Sequence, residues 1–253
     1  RISRGKGWMG IQADTYIAEM AKRFGMTGCR KVSSPSDPSQ LLTKSYDTKG
    51  DHQTYMQMVG CLIYVSTACR ADVSQAASTL SQFLRDPGQV HVKAARRVIA
   101  YLYHTRNKGL VYTQDKFRGQ NEVEWIGNMD LHGFFDADFA TCRDSRRSRS
   151  GVLLFFYNGL IAWKSVRQSI VALSSFESET IAASLATRMT MAVRNALIEV
   201  FGSLKTSTLR GDNKPCIDSI YSNNYASQRS KHIDIRFKHM HETVERKVCK
   251  FVH

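Results

Sequence analysis

The sequence predicts an α+β protein in two parts, a helical first part and a second part that mixes strands with helices. Three observations carry that expectation. Up to about residue 115 the apolar residues recur mostly at helical spacing. After about residue 128 the texture changes to short aromatic and β-branched runs separated by turn residues. The 253 residues, 42% of them hydrophobic, suffice to bury one large core or two modest ones.

In the first part, "ADTYIAEMAKRFG" places Ile17, Met20, Ala21 and Phe24 on one helical face and stops at Gly25. Residues 27–51, rich in Ser, Thr, Lys and Pro, are expected as a long surface excursion. "YMQMVGCLIYVSTACRADVSQAASTLSQFL" predicts two helices with a break near Cys69 to Ala71. A further helix is expected to start at Asp86, with Pro87 in its first turn and Gln89 completing a capping box, and to end before Gly109. Its apolar face is Ala94, Ala95, Val98, Ile99 and Leu102, and its opposite face carries Lys93, Arg96 and Arg97, a solvated stripe in the plain reading.

In the second part, "HGFFDAD", "SGVLLFFY", "LIAWKS" and "SIVAL" are strand-like runs, and "YNG" at 157–159 is a hairpin signal. Ser174 with Glu177 forms an S-x-x-E box ahead of a long helix whose stripe is Ile181, Leu185, Met189, Val193, Leu197 and Phe201, ending at Gly202. "KTSTLRGD" predicts a strand, "NKPCIDSIYS" a short helix, "IDIRFKHMHETVERK" a helix and "VCKFVH" a final strand.

Lys and Arg number 36 against 22 Asp and Glu, a formal charge of +14 spread over both halves. That favours polyanionic partners, nucleic acid first and acidic lipid second. Six dispersed cysteines without a C-x-x-C pair argue against a zinc knuckle and a secreted disulfide scaffold. No run approaches a membrane span, and "RISRGKGWMG" lacks the apolar centre of a signal peptide. The first residue is not Met, so a piece of something longer is expected.

Three acids fall at strand ends or helix starts: Asp136 at the end of the first strand, Glu179 in the opening turns of the long helix, and Asp212 at the end of the "STLRGD" strand. Ala182, Ala183 and Ala186 would let that helix lie close to a sheet and aim Glu179 across a strand end. If the first and fourth strands of this part are parallel neighbours, the three carboxylates meet. A buried acidic trio repels itself unless a divalent cation sits there, and oxygen ligands suit Mg²⁺ or Mn²⁺. The plain alternative is ordinary aspartates capping turns and helices, and spacing alone does not decide between them.

Several motifs carry a resemblance. "GIQADTYIAEMAKRFGM", "YMQMVGCLIYVSTACRADV" and "HVKAARRVIAYLYHT", followed by "FFDADFATCRDSRRSRSGVLLFF", "IAWKSVRQSIVALSSFESETIAAS", "LRGDNKPCI" and "SKHIDIRF", resemble the Pol polyprotein of copia-type LTR retrotransposons. The match runs from the end of the reverse transcriptase into its ribonuclease H domain. It implies a helical, thumb- or connection-like reverse-transcriptase segment over 1–115, then a ribonuclease H-like mixed sheet flanked by helices over 128–253. It implies an endonuclease that hydrolyses the RNA of RNA/DNA hybrids. Asp136, Glu179 and Asp212 would be its metal-binding carboxylates, with Glu177 competing for the helix position. Two Mg²⁺ (or Mn²⁺) ions would hold the scissile phosphate, one activating water and one steadying the leaving oxygen, and the 2′-hydroxyls would mark the strand to cut.

Around that site the resemblance implies nucleic-acid contacts from Arg143, Arg146, Arg147 and Arg149, from Lys164 and Asn213, and from Lys231 and His232, with Asp138 as a further acid near the site. A solvated "RRSRS" connection is the plain alternative for the arginine loop. Asp234 fits helix capping or substrate contact better than metal binding. His232, His239, His241 and Cys249 match no zinc-finger spacing. Two features depart from the family. Its fourth metal-site aspartate belongs to a helix after the last strand and is expected to be missing from this chain, and the paired Asp-Asp of its polymerase is absent, so residues 1–115 are expected to grip nucleic acid without polymerising. The expected partners are hybrid and the rest of the polyprotein, with no membrane, in cytoplasmic particles or secondarily the nucleus. A non-catalytic nucleic-acid-binding remnant is the rival function. An integrase or transposase of similar fold would place its glutamate on a later helix.

Overall fold

In the computed structural model the chain clusters into two compact units, Arg1–Asp115 and Lys116–His253. The structure describes residues 1–40, 42–44, 48–113, 131–222 and 231–253, and only the backbone of Lys231 and His232. The expected break between 115 and 128 lies outside the described residues.

The first unit opens with a hairpin that the helical reading of this part does not anticipate. Strands β1 (Ile2–Gly5) and β2 (Trp8–Ile11) pair antiparallel, and β3 (Leu110–Thr113) adds to β2. The hairpin turns through Lys6-Gly7, with Gly7 at φ 77°, where glycine lacks the steric cost of a side chain. Four-residue strands with almost no apolar alternation leave little sequence signal. Helix α1 (Asp14–Arg23) buries Ile17, Met20 and Ala21 as expected. Helices α2 (His52–Ala68) and α3 (Ser74–Leu80) flank a 3₁₀ turn at Ala71–Val73, the expected break.

Helix α4 (Gln89–His104) buries Ala94, Ala95, Val98, Ile99 and Leu102, but it starts two residues later than the Asp86 cap predicts. The Pro87 carbonyl accepts from Gly50 N–H and Gln89 N–H donates to the Thr48 carbonyl, so this stretch pairs as extended chain and cannot begin a helix. Buried His91 supplies the cap, its Nδ1 accepting from Gly88 N–H at 2.8 Å. Of the basic stripe on α4, Arg97 reaches the surface excursion, 3.5 Å from Asp37. Arg70, almost wholly buried, is answered at every nitrogen: Nε and Nη2 donate to Asp72, Nη1 and Nη2 to Thr105, and the guanidinium lies over the Tyr101 ring.

The second unit is one five-stranded sheet. Strands β4 (Leu131–Asp138), β5 (Arg149–Phe156) and β6 (Gly159–Arg167) form an antiparallel meander, the last turn made by Tyr157-Asn158. Strand β7 (Ser207–Arg210) then lies parallel to β4, and β8 (Cys249–Val252) parallel to β7, giving the order β6-β5-β4-β7-β8. "SIVAL" is no strand. After β6 the Gln168 side chain donates to Ser150 Oγ and to the Ser178 carbonyl, which turns the chain directly toward the next helix and leaves Leu173 exposed.

Helices α5 (Ser175–Phe201), α6 (Lys214–Tyr221) and α7 (Lys231–Glu245) share one core with Leu131, Phe135, Val152, Leu154, Leu209 and Phe251 of the sheet. On the other face Phe134, Leu153 and Val252 keep more than a third of their surface in solvent. Of the predicted stripe of α5, Ile181 is in the core, Leu185, Met189, Val193 and Leu197 flank it, and Phe201 is exposed. The fully buried positions are mostly small, Ser178, Ala182, Ala183, Ala186 and Thr187, so the helix axis comes close to β4 and β5.

Gly211 fixes the exit from β7. A Cβ there would stand 2.4 Å from the Phe135 ring, a distance no packed side chain tolerates. Gly211→Ala is expected to lower the stability of this unit by about 1–3 kcal/mol in urea unfolding. With Phe135→Leu added, the pair should cost less than the sum of the two single changes, because the clash then disappears.

Candidate metal centre

The centre is built where the parallel pairing of β4 and β7 stops. The register runs His132 to Thr208, Gly133 to Leu209 and Phe134 to Arg210. Continued by two residues, it sets Asp212 beside Asp136. Strand β4 itself runs on to Asp138, so Asp136 lies within the strand and not at its last position as the sequence suggested. Helix α5 brings in Glu179, whose Oε1 accepts from Ala137 N–H at 3.1 Å. One carboxylate oxygen from each of Asp136, Glu179 and Asp212 lies within 4.8 Å of the other two.

Glu179 and Glu177 part company here. Glu177 completes the helix cap: its N–H donates to Ser174 Oγ at 3.1 Å, and its Oε2 accepts from Leu173 N–H at 2.7 Å. Two positions on, and 200° around the helix, Glu179 faces the sheet and is only 5% exposed.

Burial first, and then the charge of Asp136, push the Glu179 carboxyl up to about 7, although the Ala137 N–H partly offsets them. Asp136 is raised too, by burial and then by Asp212. Glu179 Oε2 is buried and has no hydrogen-bond partner. An all-oxygen donor set, mutually repelling, with one buried oxygen left unanswered, fits a divalent cation of the Mg²⁺ or Mn²⁺ kind.

The other predicted residues are distributed around this centre unevenly. Arg143 and Arg146 are exposed on the loop between β4 and β5, and Arg147 is half-buried there. The loop is held by Ala140 N–H on Ser148 Oγ, by Cys142 N–H on the Arg147 carbonyl, and by Ala140 and Arg146 at positive φ. Burial alone would raise the Cys142 thiol, but hydrogen bonds from Ser145 and Arg167 outweigh it and the net shift is downward.

Arg149 is not on the loop surface. It opens β5 opposite Asp138 in register and is buried, because the strand begins one residue before the loop's serine-arginine pattern suggests. Lys164 is exposed on β6. The Oδ1 of Asn213 caps α6, accepting from Cys216 N–H at 2.9 Å. Asp234 sits inside the first turn of α7 and takes no part in the carboxylate cluster. The side chains of Lys231 and His232 lie outside the described residues. His241 bonds the Ile220 carbonyl and Glu245, and Cys249 is in the core, so no zinc cluster forms among the described residues. The sequence reading missed Ala137 N–H and Gly211, since a backbone donor and a ring contact leave no motif.

No family model matches the chain. The Pol polyprotein of transposon TNT 1-94 from Nicotiana tabacum is 31% identical over 252 residues, 97% of this chain. The chain belongs to the retrovirus-related Pol polyproteins of transposons. The Pol polyprotein of transposon RE1 from Arabidopsis thaliana is 32% identical over 166 residues, 65% of this chain. The chain spans 18% of the first polyprotein and 10% of the second. A protein named secreted RxLR effector protein 161, from Plasmopara viticola, is 39% identical over 134 residues, 53% of this chain and 87% of its own length. Among solved structures, LC11-RNase H1, isolated from compost, is 15% identical and aligns with 50% of this chain and 84% of its own at a TM-score of 0.36. The second unit of this Pol chain is a mixed sheet flanked by helices.

Because the folded state raises the Glu179 carboxyl, metal-free folded protein binds an extra proton between the ordinary glutamate value and about 7. Stability from this source is present at low pH and is lost as pH rises through that window. In EDTA, the free energy of unfolding in urea should fall from pH 5 to pH 8 more steeply than in Glu179→Gln, a difference on the order of 2–3 kcal/mol. A divalent cation should remove it.

Proposed function

We propose that the second unit is a metal-dependent endonuclease that hydrolyses the RNA strand of RNA/DNA hybrids within a retrotransposon reverse-transcriptase polyprotein. The observation that carries the reading is the trio Asp136, Glu179 and Asp212, gathered within 4.8 Å with a buried, unanswered oxygen. Membership of the Pol polyproteins supports it, as does the surplus of cations on a chain of charge +14.

Asp136, Glu179 and Asp212 would hold two Mg²⁺ or Mn²⁺ ions. Bound there, the ions supply Lewis-acid stabilisation of the scissile phosphate and lower the pKa of the attacking water. Burial of Glu179 and its tie to Ala137 N–H fix the direction of one carboxylate oxygen and leave the other to face the centre. Arg143 and Arg146, exposed on a loop held by internal hydrogen bonds, would neutralise backbone phosphates beside the cut.

The first unit, in this reading, is the C-terminal part of the reverse transcriptase. It holds template and primer for the polyprotein without polymerising. Among the described residues no helix is long and apolar enough to cross a membrane.

The test is cleavage of an end-labelled RNA/DNA hybrid with Mg²⁺ or Mn²⁺. Asp136→Asn, Glu179→Gln and Asp212→Asn should each slow cleavage by about 100-fold or more, the scale of losing one preorganised electrostatic contributor. Glu177→Ala should cut at close to the parent rate while losing about 1 kcal/mol of stability with its half of the capping box. Tight hybrid binding with no cleavage under either metal would overturn the nuclease reading in favour of a binding remnant.

A further inference from the structure

Helices α5 and α7 lie side by side, with the rings of Phe176 and Phe237 stacked at 5.8 Å. Each helix brings an arginine to the other's neighbourhood, Arg188 from α5, exposed, and Arg236 from α7, half-buried. Burial first, and then the positive charge of Arg188, pull the Arg236 guanidinium below its usual range. Glu177 opposes them more weakly, and its Oε2 is engaged by Leu173 N–H.

Among the described residues neither arginine has a carboxylate within ion-pairing distance. Arg188 makes one long contact, Nε to the Ser184 carbonyl at 3.4 Å, and Arg236 Nε is buried with no partner. Asp234, two positions before Arg236 on α7, points to a different side of the helix.

The buried Arg70 of the first unit is the useful contrast. There Asp72, Thr105 and the Tyr101 ring answer the whole guanidinium, as a purely structural arginine requires. Two neighbouring guanidiniums with no ion-paired carboxylate among the described residues, one of them partly desolvated, cost free energy that an incoming anion would recover.

We propose that Arg188 and Arg236 form a phosphate-binding subsite that takes a backbone phosphate of the bound polynucleotide. The planar, multi-donor guanidinium fork matches phosphate oxygens two at a time. This rests on the second unit being a nucleic-acid enzyme, as proposed above. Arg188 follows Glu179 by nine residues, about 14 Å along α5 and half a turn out of phase. The subsite therefore lies on the outer side of the helical layer and grips the polynucleotide several nucleotides from the carboxylates. It positions substrate and takes no part in bond cleavage.

The experiment compares the full chain with Arg188→Gln and Arg236→Gln by two measurements. The first is the thermal shift given by inorganic phosphate against chloride at equal ionic strength. The second is hybrid binding by fluorescence anisotropy in EDTA over a range of salt. Phosphate should raise the melting temperature of the parent and lose that effect in each variant, with no loss of stability in chloride. The slope of log affinity against log salt should shrink by about one for each.

An unchanged phosphate response and salt slope in both variants would overturn the proposal. So would a loss of stability in chloride with the slope intact, which marks a structural role. Arg188 is exposed, so its variant decides the matter even where Arg236→Gln fails to fold. A parent that answers phosphate through these arginines but binds no hybrid keeps the subsite, with free phosphate as its ligand, and refutes the polynucleotide reading instead.

Discussion

The second unit depends on the parallel pairing of β4 with β7 and on where that pairing stops. Parallel neighbours need a crossover between them, and α5 is the long element in that connection, so the pairing draws α5 across the sheet. Because the ladder ends at Phe134 and Arg210, Ala137 N–H is available to Glu179 and Asp212 falls next to Asp136. The glycine at 211 and the small residues of α5 are consequences of the same geometry. A ring at Phe135 leaves no room for a side chain after β7, and a helix that must deliver a short carboxylate to the sheet has to come close to it.

That geometry places like charges together and buries one of them, which opposes folding. Hydrophobic contact has to outweigh the repulsion, and the core shared by β4, β5, β7, β8 and the three helices lies directly behind the carboxylates. The first unit solves its polar problem in the opposite way. Arg70 and His91 are buried too, yet each nitrogen has a partner, and those bonds tie α4 to the turns around it. Satisfied buried polar groups define a structure, while an unsatisfied one calls for a water, an ion or a ligand to answer it.

Much of this was legible in the residues. The period of α1, the break after Cys69, the apolar face of α4, the meander and the cap of α5 are local patterns, and local patterns survive folding. The carboxylate trio was legible only under a condition, that two strands distant in sequence lie parallel, and the structure meets it. The misses have a common cause in pairing between distant segments. Residues 48–50 delay the start of α4, Gln168 converts an apolar run into a turn, and β3 completes a sheet with a hairpin almost a hundred residues earlier. Arg149 shows the same limit for side chains: within "RRSRS" it resembles its neighbours, but the register of β5 puts it inside.

The basic loop after the acidic strand then has a physical sense. A carboxylate cluster by itself repels a phosphodiester, so binding requires compensating positive charge close by but not on the carboxylates, where it would neutralise the metal ligands. A loop that begins three residues beyond Asp136 and is stiffened by Ser148, Cys142 and two residues at positive φ meets both demands. Arg143 and Arg146 face solvent there, while Arg149 turns inward opposite Asp138 and keeps that further acid from adding its charge to the centre unopposed. In the nuclease reading proposed above, the loop separates the two signs of charge in space, attraction for a polyanion on the outside and a place for a cation on the inside.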